Sequence, residues 1–92
     1  MESTRAWREC FENWPAEVRR RGVLVTSFGE QISFADFMTS PGIVLIERTS
    51  PDPIGARMVL VPYDSILGLK ITDPLQPAAL RAMGFVGKSA AK

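Results

Sequence analysis

The chain has 92 residues, enough for one domain whose core needs no disulfide or metal staple. Hydrophobic residues make up 46% and charged residues 23%, an ordinary globular balance, and a formal charge of +1 argues against a surface coated with basic groups for nucleic acid. There is no histidine and one cysteine, Cys10, which excludes Ser-His-Asp and Cys-His catalytic arrangements, an intramolecular disulfide and the commonest zinc ligands.

Ser3 or Thr4 is placed to cap a helix in which Ala6, Trp7, Cys10, Phe11 and Trp14 form an i, i+3, i+4, i+7 stripe, with Arg5, Arg8, Glu9 and Glu12 opposite. That stripe is expected to be buried, and Cys10 reads as a structural thiol within it. Pro15 either kinks this helix or starts a second helical turn from Ala16 to Arg21, with Gly22 as its stop. Arg19, Arg20 and Arg21 then fall near a helix C-terminus, where the dipole favours cations; the sharper reading is a phosphate-contacting patch. The N-terminus lacks an apolar core of signal-peptide length and no run approaches a membrane span, so a cytoplasmic location and no membrane partner are expected.

From Val23 the period changes to two. Val23 to Val25 begins one strand, Phe28-Gly29-Glu30 is a hairpin turn, and Ile32 to Phe37 forms a second strand. After a turn at Ser40-Pro41-Gly42, Ile43 to Arg48 is a third strand, apolar on both faces and so central or covered by another copy. Thr49 to Ala56 is a loop marked by proline and glycine. The stretch from Arg57 to Ile71 then reads as two apolar strands joined by a Pro-Tyr-Asp-Ser turn, with Pro62 barred from the middle of a ladder because it has no N–H to donate. The whole is a mainly β chain: a helical segment over 1–22, a five-stranded, strongly bent antiparallel small barrel over 23–73, and a tail over 74–92, partly helical or disordered. In that tail Gly84, Gly87, Lys88 and Ser89 imitate a phosphate-cradling loop. Ala82 stands where its first glycine belongs, and no strand precedes it.

Asp36, Glu47, Asp52 and Asp64 are expected on different strand ends and loops, with no two fixed about one reaction centre, and Glu47 beside Arg48 reads as a strand-end ion pair. No enzyme, no cofactor and no metal site is expected.

Two segments carry a family resemblance. Val61, Asp64 and Ile66 in VPYDSI, and Phe37, Val44 and Leu45 in FMTSPGIVL, stand where the two motifs of the Sm-like (LSm, Hfq-related) proteins have matching residues. A helix followed by five short strands is also similar to that family, over roughly Ala16 to Ile71. At the family's base-contacting positions this chain has Met38, Gly42, Pro62 and Tyr63. The resemblance implies a homo-oligomeric ring in which the fourth strand of one subunit pairs with the fifth of the next, which would make Met58, Leu60, Leu67, Leu69 and Ile71 interface residues. It also implies single-stranded RNA as a partner, for which Arg19, Arg20, Arg21 and Tyr63 are the candidate contacts, with Arg48 or Arg57 as a further charge. The alternative reading is an adaptor or scaffold without nucleic acid, binding a protein through the loop around Ser50 to Arg57 or through a sheet edge. Residues 23–71 hold three basic and five acidic side chains, so the expected barrel is mildly acidic and only its flanks are basic.

Overall fold

The computed structural model describes residues 2–87. One helix, α1 (Glu2–Glu12), precedes five strands: β1 (Gly22–Thr26), β2 (Gln31–Thr39), β3 (Ile43–Arg48), β4 (Met58–Pro62) and β5 (Ile66–Lys70). Short 3-10 turns cover Tyr63–Ser65 and Pro77–Met83. All strand pairs are antiparallel and form one sheet in the order β4-β3-β2-β1-β5.

The mainly β architecture expected from the period-two pattern is present. The sheet is not closed, however: β4 pairs only with β3 and β5 only with β1. The two apolar strands of the 57–71 stretch are thus the opposite ends of the sheet, and the Tyr63–Ser65 turn carries the chain from one end to the other. The physical reason lies in that turn. Pro62 ends β4 without a donor, and Tyr63 sends its side chain into the core instead of out along a ladder.

β2 is longer than the sequence pattern suggests, because Met38 and Thr39 continue it opposite Leu45 and Val44. Its first half pairs with β1 and its second half with β3. Where the partners change, Ala35 is an extra residue between Phe34↔Arg48 and Asp36↔Glu47, and such a bulge bends a strand without a glycine. A second bulge at Leu67 separates Val25↔Gly68 from Thr26↔Ile66. At the β1–β2 hairpin Gly29 takes φ 83°, a conformation that side chains resist, and the Thr26 hydroxyl donates to the Glu30 carbonyl at 2.7 Å to hold the turn.

One face of the sheet is the core. Leu24, Ile32, Phe34, Phe37, Val44, Ile46, Val61, Tyr63 and Ile66 point into it, and Phe11, Trp14 and Val18 cover it. Phe37 is the meeting point: its ring lies edge-on to Phe11 at 4.8 Å and to Trp14 at 5.1 Å. The expected helical stripe holds at Phe11, which is buried on α1; Trp14 is buried too but stands two residues past the end of the helix, and Cys10 is only half-buried.

Two N-terminal expectations need correction. The helix begins at Glu2, so Ser3 and Thr4 lie in its first turn and do not cap it. It also ends at Glu12, and residues 13–21 are turns and irregular chain in place of a second helical stretch. Pro15 is buried there, and the Trp14 indole N–H donates to the Val18 carbonyl at 3.1 Å, which fixes the reversal. Gly22 consequently opens β1 instead of closing a helix. Beyond β5, Leu75, Ala79 and Met83 pack against the core cluster, and Gly84 at φ 97° ends the last 3-10 turn. Lys88 and Ser89 of the loop-like tail sequence lie outside the described residues.

Candidate functional site

The arginine run sits on irregular chain between α1 and β1, away from any helix terminus. Its members diverge. Arg20 lies across the Phe37 ring with its guanidinium carbon 4.6 Å from the ring centre, donates to the Phe37 carbonyl at 3.0 Å and stands 3.7 Å from Asp36. Arg21 pairs with Asp73 at 2.9 Å. Arg19 is exposed and has no ion pair among the described residues. Two of the three cations thus brace the first strand's entry against β2 and the chain after β5. Exposed pairs of this kind add little stability by themselves, yet they do hold the charges in place.

Tyr63 is not beside them. It is fully buried, its ring 6.3 Å from Phe11, and its hydroxyl donates to the Ser40 carbonyl at 3.1 Å. As a stacking platform for a base, Tyr63 is corrected to a core residue of its own chain. Arg48 is likewise occupied, by Glu30 at 3.1 Å and by the Ser50 carbonyl. The expected Glu47–Arg48 pair is absent, since neighbours along a strand point to opposite faces.

The candidate interface residues fall into two groups. Met58 and Leu60 on β4 and Leu67 on β5 are exposed, by 58%, 63% and 68%. Leu69 and Ile71 are half-buried and pack against the core. Both groups belong to the sheet's ends, and both ends carry a row of main-chain groups with no neighbouring strand. Lys70 is the one charged side chain within β4 and β5, the kind of residue that discourages unwanted strand pairing.

The loop between β3 and β4 is tightly tied. The Arg48 N–H donates to the Arg57 carbonyl at 2.8 Å, and the Asp52 carboxylate accepts from the backbone N–H groups of Ile54 and Ala56 at 3.0 and 2.8 Å. At its tip Ile54 is 91% exposed.

The four carboxylates are also placed. Asp52 is that loop's internal acceptor and Asp64 lies in the turn after β4, but Asp36 and Glu47 are direct partners across β2 and β3. With Phe37, Met38, Leu45 and Met58 they line a groove of about 300 Å³ on the sheet. Both residues lie within the expected strands, Ile32 to Phe37 and Ile43 to Arg48, but their pairing depends on the register across the Ser40-Pro41-Gly42 turn, which strand limits alone do not give. The available signal was the alternation Asp36-x-Met38 and Leu45-x-Glu47, which shares one face once β2 runs to Thr39. No family model matches the chain, and no curated protein or solved structure does. The described surface offers open strand edges, exposed aliphatic groups and one displayed loop. Among the described residues no three metal-ligating side chains cluster, and no helix is long and apolar enough to cross a membrane.

Proposed function

We propose that this chain is an Sm-like subunit that assembles with copies of itself, β4 of one joining β5 of the next, and that the assembly serves as a protein scaffold. The observation that carries this reading is the pair of unpaired edge strands at opposite ends of a single sheet, bearing exposed Met58, Leu60 and Leu67. Exposed apolar edges are what natural sheets avoid unless another strand covers them. The family resemblance puts its inter-subunit contacts on the fourth and fifth strands, and these are the edges here. Because the two ends differ, each contact is head to tail, and the series closes into a ring if the rotation between subunits allows it.

RNA binding finds less support. Tyr63 is buried, Arg20 and Arg21 are engaged with acidic side chains, and residues 23–71 hold five acidic and three basic side chains. The test is the solution molar mass by light scattering after size exclusion. A discrete assembly of several copies supports the proposal, and a monomer at micromolar concentration overturns it.

A further inference from the structure

The groove on β2, β3 and β4 has two features that a solvent-facing sheet surface does not need. Its floor is apolar, with Met38 and Met58 exposed by 67% and 58%, and methionine side chains adapt readily to the shape of a partner. At one end Asp36 and Glu47 face each other across the strands, and like charges in that position destabilise a sheet. Arg20 lies 3.7 Å from Asp36, whereas Glu47 has no ion pair among the described residues. An apolar surface beside an under-compensated pair of carboxylates calls for a ligand with hydrophobic side chains followed closely by a cation.

The chain contains such a segment. From Pro74 onward it has no acidic residue and three basic ones, Arg81, Lys88 and Lys92. Just ahead of Lys88, Phe85 and Val86 are exposed by 59% and 94%. They are the last large hydrophobic residues of the sequence, and none of the described residues of the same chain covers them. We propose that the groove of one copy receives the C-terminal segment of a second copy, with Phe85 and Val86 on the apolar floor and Lys88 at Asp36 and Glu47. A volume of about 300 Å³ suits two such side chains and is too small for a folded element. The contact uses the solvent face of β2, β3 and β4 and none of the unpaired main-chain groups of the sheet's ends, although Met58 of the end strand β4 lines the groove as well.

The test is disulfide trapping between two full-length chains that both carry Cys10→Ser, one with Met58→Cys and the other with Ser89→Cys. Mixing them under mild oxidation is expected to give mixed cross-linked dimers in preference to like pairs. No cross-link, or like pairs alone, overturns the proposal. Adding Glu47→Lys to the first chain is expected to lower the mixed yield about tenfold, and Lys88→Glu in the second to restore it. An unchanged yield overturns the assignment. Repeating the experiment with Leu67→Lys in both chains separates the two contacts: the mixed cross-link persists whether or not the edges pair, and its loss there overturns an independent groove contact.

Discussion

Gly22 enters β1 so close to β5 that a Cβ there would collide with the Lys70 carbonyl oxygen, a backbone atom that cannot step aside. Gly22→Ala is therefore expected to cost about 1–3 kcal/mol, the usual penalty for overpacking, read as a shift of the urea midpoint. A glycine after three arginines looks like a helix stop in sequence, and only the pairing of β1 with β5 gives its true reason. Cys10 shows a different residue-scale effect. Burial pushes its thiol up from 9.0 to about 11. Above pH 9 the unfolded chain ionises first, so this stabilising contribution is intact below pH 9 and is lost as pH rises towards 11. Burial raises the Tyr63 phenol in the same direction, adding to the alkaline loss. Cys10→Ser should flatten the fall in stability between pH 9 and 11 without abolishing it, as followed by denaturant titration at each pH. Arg20 carries a warning for any binding study: its contact with Phe37 ties it to the core, so an Arg20→Ala effect on RNA affinity means little unless the melting temperature is unchanged.

Among the elements, α1 does for the sheet what a closing ladder would have done. It brings Phe11 against Phe37 and Tyr63, over the core face between the two ends. Phe11→Ala should cost about 3–5 kcal/mol, since a nearly fully buried aromatic side chain leaves a cavity that a sheet cannot collapse to fill. The β3–β4 loop is separable from that core. Asp52→Ala removes the acceptor for two backbone N–H groups and should cost about 1 kcal/mol. If a protein partner uses the loop, its capture should fall far more than global stability does, and equal losses in a pull-down and a melt would assign Asp52 a structural role alone. Much of this was legible beforehand. The burial of Phe11 on α1, the hairpin at Gly29, the limits of β3 and the loop after it all follow from local periodicity and turn chemistry, whereas Trp14 is buried beyond the helix that the same periodicity extends through it. The length of β2 and the separation of β4 from β5 did not, because a bulge and a choice of strand partner are decided by contacts distant in sequence. The groove depends on register as well: the alternation Asp36-x-Met38 and Leu45-x-Glu47 marks one face, and only the pairing of β2 with β3 sets Asp36 opposite Glu47.

At the level of the whole molecule, a sheet with two open ends makes assembly the central question. Leu60→Lys or Leu67→Lys each places a charge at one end, and either is expected to shift the molar mass towards the monomer while leaving the far-ultraviolet circular dichroism intact. For the unmodified chain the melting temperature should rise with protein concentration, because association stabilises only the folded state. The two ends of the sheet are unlike, and this has a consequence in mixtures. In the proposed head-to-tail assembly, a chain blocked at β5 would still present β4, so it would join a growing series and then refuse the next arrival. A minority of such chains, co-expressed with the unmodified protein, would act as terminators and deplete complete assemblies out of proportion to their number.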